Sequence, residues 1–234
     1  MNRILLRPDE ITDDIAIVHG RRARHVLDVL DAQPGDQLRV GVLGGALGGA
    51  RVTARESDSV TLELHSFEDP PAPFPVTLIL ALPRPKVARR VLMDVAAIGI
   101  KQIHLIGAWG VEKSYWDSPL LTDSAINERL ILGLEQGGDT VVPTVERHRL
   151  FKPFVEDRLP ELVVDHRRLV AHPGAAVDCP RAVDGEVALA VGPERGFTEY
   201  EIARLSQAGF EPVSLGSRTL RVESAVAMLL GRVT

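Results

Sequence analysis

The sequence predicts an α/β protein, with a mostly parallel sheet covered by helices and a small, mainly β unit ahead of it. Three observations lead there. Residues 67–75 read FEDPPAPFP, and prolines at 70, 71, 73 and 75 favour an extended, stiff connection that divides the chain. Before this seam, apolar and polar residues alternate with the period of half-buried strands. After it, the rhythm becomes strand, helix, strand, helix, and the run VTLILALP (76–83) is almost wholly apolar, as in a strand covered on both faces. The first unit is accordingly placed at 1–70 and the second at 74–234.

In the first unit RILL (3–6) reads as a short strand, and residues 21–30 as a helix with Val26, Leu27 and Leu30 apolar. QPGD is a turn. QLRVGVL, ARVTARE and SVTLELHSF come next as strands, the last placing Val60, Leu62 and Leu64 against Thr61, Glu63 and His65. The stretch GVLGGALGGA has too few glycines in register for a dinucleotide fingerprint: counting from Gly44, the middle position is Ala46. The residues after Ala50 alternate as a strand instead of opening a helix, so a hairpin loop is predicted.

In the second unit a helix is expected over 86–98, where Val87, Val91, Leu92, Val95 and Ile98 form a stripe. IHLIG is the next strand, then a helix from about 123 to 136 with Ile126, Leu130, Ile131 and Leu134 apolar. A less regular stretch leads to RLVAHP, then EVALAVG, a helix, EPVSLG and a last helix to the end of the sequence. Three of these strands end in glycine-bearing loops: His172-Pro173-Gly174, Gly192-Pro193-Glu194-Arg195-Gly196, and Gly216-Ser217-Arg218 running on to Arg221, with Glu223 opening the final helix. Thr198 and Glu201 have capping-box spacing, which fixes a helix start just beyond Gly196. Ligands in open α/β sheets bind at the carboxyl ends of strands, so the three loops are candidates to line one pocket made largely of backbone.

Composition narrows the partners. Of the 234 residues 45% are hydrophobic and 25% charged, ordinary for a globular protein. No apolar run nears the roughly 20 residues that span a bilayer, and the N-terminus is charged too soon for a secretory signal. A single cysteine, Cys179, forms no internal disulfide and has no accompanying motif, so it reads as a plain thiol in a reducing cytoplasm. A net charge of −5 argues mildly against nucleic acid, yet cations cluster locally: Arg21, Arg22, Arg24 and His25; Arg84, Lys86, Arg89 and Arg90; Arg147, His148, Arg149 and Lys152. Each is either a solvated face or a phosphate-binding patch. HExxH, CxxC and Walker-type motifs are missing, which disfavours metal and nucleoside triphosphate.

VGPERGFTEYEI, VSLGSRTLRVESA, LEQGGDTVVPTV and the early RHVLDVLDAQPGD together resemble, in the right order and over nearly the whole chain, the bacterial small-subunit ribosomal RNA methyltransferase E family. The resemblance implies methylation of N3 of one uridine in 16S ribosomal RNA, alone or in the small subunit. It also implies a homodimer, a SPOUT-type α/β domain whose C-terminal part is threaded into a trefoil knot, and a PUA-like β-barrel that holds RNA. S-adenosyl-L-methionine is the implied cofactor, held by His172, Pro173, Gly174, Gly192, Pro193, Glu194, Gly196, Leu215, Gly216, Ser217, Arg218 and Leu220; no metal and no membrane are implied.

Uracil N3 carries a proton, so a base and a fixed cation for the charge developing on O2 or O4 are useful. Arg221 is the candidate cation, with Arg218 second. Glu194 and Glu223 are the nearby carboxylates, each either a proton acceptor or an anchor for an arginine, the anchoring role preferred for Glu223. Arg21, Arg22, Arg24, His25, Arg84 and Lys86 are the candidate RNA contacts. Trp109, Tyr115 and Trp116, in AWGVEKSYWDS, either stack on a base or pack. Some positions depart from the family pattern: Arg195 for glycine, Val222 and Ser224 for threonines, Asp139 for arginine, and Asp94 and Ala97 for lysine and glutamate. The departures fall on basic and acidic positions more than on the cofactor loops. A SPOUT enzyme acting on another RNA, a non-catalytic RNA-binding relative and, third, a Rossmann-type oxidoreductase are the alternatives.

Overall fold

The computed structural model describes residues 3–234. The chain opens with β1 (Ile4–Leu6), β2 (Ile11–Thr12), β3 (Ile15–His19), α1 (Gly20–Arg24), β4 (Gln37–Val42), β5 (Leu47–Arg55) and β6 (Ser59–Glu68). They form one six-stranded sheet in the order β1-β4-β5-β6-β3-β2, antiparallel except for the parallel pair β1 and β4. The edges β1 and β2 do not pair with each other. The expected helix over 21–30 is present, although α1 passes into a π-helical turn over His25–Val29. Its Ala23, Val26 and Leu27 close a core with Val40, Val52, Val60 and Leu62. The glycine-rich stretch is indeed a hairpin, with residues 43–46 as its loop between β4 and β5. The β2–β3 hairpin is not predicted, because its turn is Asp13-Asp14. Both have positive φ, at 48° and 63°, a region that aspartate tolerates though Asn-Gly is the usual signal.

The second sheet is built from β7 (Val76–Ala81), α2 (Pro85–Ile98), β8 (Gln102–Ile106), α3 (Asp123–Gly137), β9 (Thr144–His148), α4 (Phe151–Pro153), α5 (Leu159–Leu162), β10 (Arg167–Ala171), β11 (Val187–Val191), α6 (Glu199–Gln207), β12 (Glu211–Val213) and α7 (Val222–Val233). A π-helical turn over Phe154–Arg158 joins α4 to α5. All six strands run parallel, in the order β12-β10-β11-β7-β8-β9. Every loop that leaves a strand therefore emerges on the same edge of the sheet. The two-residue period divides β7 between two cores. Leu78 and Leu80 pack with Leu92, Leu130 and Leu229 of α2, α3 and α7, whereas Ile79 and Ala81 pack with Phe154, Leu159 and Leu205 on the opposite face. Helices α2 and α3 approach closely at Gly133, where a Cβ would lie 2.2 Å from the Met93 carbonyl oxygen. The edge strand β9 and the 151–162 helical segment lie in the stretch that reads as irregular. β9 is TVERH, mostly exposed, with no apolar alternation to reveal it.

Two connections tie this framework together. The segment between β10 and β11 lies over the chain that leaves β12: Ser214 N–H donates to the Val177 carbonyl and the Cys179 N–H to the Ser214 carbonyl, both at 2.8 Å. The same segment reaches the end of α7, where Ala182 and Val183 donate to the carbonyls of Arg232 and Val233. The first unit docks on the second through Arg21, whose guanidinium makes two 2.8 Å bonds to the buried Glu135 carboxylate, and through Thr140, whose hydroxyl donates to the Gly45 carbonyl. No helix of the described residues is long and apolar enough to cross a membrane.

Candidate cofactor site

Strands β11, β10 and β12 are neighbours, so the loops that leave them are brought side by side. Between them lies a cavity of about 300 Å³, lined by His172, Pro173 and Gly174 after β10, by all five residues Gly192–Gly196 after β11, and by Leu220. A smaller adjoining cavity of about 60 Å³ adds Leu215, Gly216 and Arg218. Eleven of the twelve residues assigned to the cofactor from sequence border one space or the other; Ser217 is exposed in the same loop.

Local chemistry explains the shape. The loop after β11 folds back on itself, with the Gly196 N–H donating to the Pro193 carbonyl at 2.7 Å. A Cβ at Gly192 would stand 2.8 Å from the Phe197 backbone nitrogen, a distance backbone cannot concede, and Gly196 has φ +73°. The turn is then stopped by the capping box. Thr198 Oγ1 accepts from the Glu201 N–H at 3.3 Å, and Glu201 Oε2 accepts from the Thr198 N–H at 2.8 Å. Glu201 is buried and its other oxygen accepts from the Trp109 N–H at 2.7 Å, which fastens the loop after β8 to the start of α6.

The cavity wall also includes the apolar residues Val191, Phe197, Val222 and Ala225, the first three of them buried. These apolar residues are missed from sequence. Phe197 alone carries a signal, as a buried aromatic directly after the glycine turn.

The carboxylates are already engaged. Glu194 Oε1 accepts from the Arg84 N–H at 2.9 Å, at the residue that precedes the first turn of α2, where a negative charge is favoured. Glu223 pairs with Arg90 at 3.0 Å, the anchoring role preferred from sequence, though toward a different arginine from those in the loop. Arg221 is exposed at the N-cap of α7, between Leu220 and Val222 of the cavity wall, and has no ion-pair partner among the described residues. Arg84 and Lys86 are exposed at the start of α2.

The cluster in the first unit is arranged differently. Arg22 is turned inward, its guanidinium bonded to both oxygens of Glu10 and to the Leu5 carbonyl. That guanidinium holds the Glu10 carboxyl below its ordinary range. Arg21 is committed to Glu135, Arg24 is exposed and His25 is half-buried. Asp139 is also internal: it pairs with Lys101 at 2.6 Å and accepts from the N–H groups of Thr140 and Val141. Its departure from the family pattern thus serves the close of α3. Asp94 and Ala97 lie on α2; Asp94 is exposed, and the Ala97 carbonyl packs on Gly137.

Of the three aromatics, Tyr115 and Trp116 pack against the core, while Trp109 is 84% exposed. Cys179 is buried, and burial pushes its thiol up, away from reactivity. Among the described residues one trio has its ligand atoms within 4.8 Å of one another, His104, Glu146 and His148, and none of them lines the cavity. His104 Nδ1 and His148 Nε2 are 3.2 Å apart, and burial pushes the His104 imidazole down to about 4.

Known proteins resemble this sequence and this fold. The RNA methyltransferase domain family matches residues 70–234. The ribosomal RNA small subunit methyltransferase E of Treponema pallidum is 34% identical over 238 residues, covering 96% of this chain and 87% of its own. The protein of that description from Mycobacterium tuberculosis is 28% identical, over 95% of this chain and 87% of its own. Among solved structures, a ribosomal RNA small subunit methyltransferase E from Neisseria gonorrhoeae, bound to S-adenosyl methionine, superposes with a TM-score of 0.78. It is 24% identical and covers 98% of this chain and 95% of that one, a likeness of fold. By its matched domain and by its identity to these relatives, this chain belongs to the ribosomal RNA small subunit methyltransferase E family.

Proposed function

We propose that the protein is an S-adenosylmethionine-dependent methyltransferase that modifies N3 of one uridine in 16S ribosomal RNA. The observation that carries this reading is the cavity between three adjacent strand ends, in a chain of this family. Its residues fit the cofactor. Gly174, Gly192, Gly196 and Gly216 put no side chain into the space, so backbone can approach an adenine edge closely, while Val191, Phe197, Leu215, Leu220 and Leu229 supply apolar walls. When bound, S-adenosylmethionine supplies a methyl group on a positively charged sulfur.

The chain's own residues then align the uracil and manage its charge. Alignment accounts for much of the acceleration of a reaction between two bound partners. As N3 gives up its proton to solvent water, negative charge spreads to O2 and O4, and Arg221 is the cation set to receive it, with Arg218 on the other side of Leu220. Glu194 and Glu223 hold the surrounding helices, through the Arg84 N–H and the Arg90 guanidinium, and are positioning residues in this scheme. The scheme calls on no metal.

The architecture proposed with this function is a SPOUT domain over 74–234 and a PUA-like RNA-binding domain over 1–70. The segment wrapped over Ser214 and the end of α7 supports a C-terminal trefoil knot. The first sheet, with its helix across the core, supports the PUA-like unit. Exposed Ser224, Ala227, Met228 and Gly231 form an i, i+3, i+4, i+7 stripe on α7, which supports a homodimer joined along that helix. The single buried cysteine accords with action in the cytoplasm.

Labelled S-adenosylmethionine incubated with unmodified small ribosomal subunits tests the function. Label recovered as N3-methyluridine in 16S RNA is expected. Label in transfer RNA instead would move the reading to another substrate, and no cofactor binding by calorimetry would leave a non-catalytic RNA-binding protein.

A further inference from the structure

We propose that the groove at the carboxyl ends of β8 and β9 is a stacking platform for an unpaired nucleobase of the RNA, next to the one being methylated. It has a volume of about 620 Å³ and is lined by Trp109, Val111, Lys113, Trp116, Arg149 and Leu150. Trp109 is 84% exposed and Leu150 67% exposed, so a large apolar surface is left open.

The platform is rigid where it needs to be. The Trp109 N–H is held by the buried Glu201 carboxylate. A Cβ at Gly107 would stand 2.1 Å from the Arg149 carbonyl oxygen, so the two strand ends are pressed together. Trp116 is packed on the core from below, and Arg149 lies over its ring with the guanidinium carbon 5.9 Å from the centroid.

The chemistry selects the occupant. Indole faces and a guanidinium plane accept the π-face of any base, and the exposed Lys113 and Arg149 suit the flanking phosphates. Asp117 pairs with Arg149 at 3.0 Å, and Lys113 has no ion pair among the described residues. The loop that carries Trp109 and Val111 also touches the wall of the cofactor cavity at Gly110. A Cβ at Gly110 would lie 3.0 Å from Pro193 and 3.4 Å from Arg195 Cβ, and both residues line that cavity. In the proposed complex the strand whose uridine reaches the cavity crosses the Trp109 loop.

This inference rests on the proposed methyl transfer to RNA, and the test separates the two. Wild-type, Trp109→Ala and Trp109→Phe proteins are compared for KM toward unmodified small subunits, for cofactor affinity by calorimetry and for mass by light scattering. Trp109→Ala is expected to raise KM roughly 5- to 100-fold, as loss of one stacked base does, with cofactor affinity and mass unchanged and with Trp109→Phe near wild type. An unaltered KM in Trp109→Ala, or a loss in Trp109→Phe equal to that in alanine, overturns the platform. A fall in mass on Trp109→Ala would give this face to a second copy of the chain and overturn it as well. A wild-type protein that methylates no small subunits would instead overturn the function itself.

Discussion

The loops after β10, β11 and β12 and the basic cluster at the start of α1 are both rich in polar groups, but those groups face opposite ways. Around the cavity after β10, β11 and β12, glycines bring main chain to the wall, and the charged side chains nearby are either exposed, as Arg221 is, or pinned at the rim, as Glu194 is by the Arg84 N–H. In the α1 cluster the charges face each other: Arg22 closes on Glu10, and Arg21 reaches across the seam to Glu135. A group that meets its partner inside the fold contributes stability and is spent there; a group left at the edge of a cavity is available to a ligand. The number of cations in a stretch does not distinguish the two.

The largest effect expected from this comparison is at Arg221. Arg221→Ala should lower turnover on the order of 10²- to 10³-fold, as loss of one charge-stabilising donor does, and leave cofactor affinity nearly intact. Single-turnover rates beside calorimetry check both halves, and equal turnover would remove Arg221 from the chemistry. Next comes the inward-facing Asp139. Asp139→Ala strands the Lys101 ammonium beside the Val141 carbonyl and should cost about 3 kcal/mol or more, as breaking a buried pair does. Urea unfolding measures it, and a cost below about 1 kcal/mol would deny that this departure from the family pattern is structural.

A comparable effect belongs to His104, buried and neutral against His148. Its folded value of about 4 lies below the ordinary 6.5, so the unfolded chain takes up the proton first. Its neutral form's stability is therefore complete above about pH 6.5 and is lost as pH falls toward 4, by on the order of 3 kcal/mol. The His104→Gln variant should flatten that part of the unfolding profile; an unchanged slope would place the titration elsewhere. The smallest effects sharpen the comparison most. Arg22→Ala should lower stability by about 1–2 kcal/mol and barely alter RNA binding. Arg24→Ala, at an exposed position, should leave stability alone and reduce the salt dependence of RNA binding by about one charge. The reverse pattern would show the α1 cluster to be a ligand surface after all.

The same contrast governs how much is legible in the sequence. The loops around the cavity are written in local chemistry: glycines where backbone must turn or approach, a Thr198–Glu201 cap that fixes a helix start, and apolar strands on either side. Those local signals pick out all three loops that border the cavity. The illegible features depend on partners distant along the chain. Nothing around Arg22 announces Glu10, and nothing around Asp139 announces Lys101. β9 escapes because an exposed edge strand needs no apolar alternation, and the 13–14 turn because aspartate stands in for glycine. The three aromatics of residues 109–116 look alike in sequence, and only the packing separates Trp109 from Tyr115 and Trp116.

The most direct measurement is a crystal structure of this protein with S-adenosylmethionine. The adenosine should lie between residues 172–174, 192–196 and 215–220, contacted mainly by backbone atoms, with the methyl group turned toward Arg221. An adenosine lodged elsewhere, or contacts to these loops dominated by charged side chains, would contradict a cofactor site made of main chain.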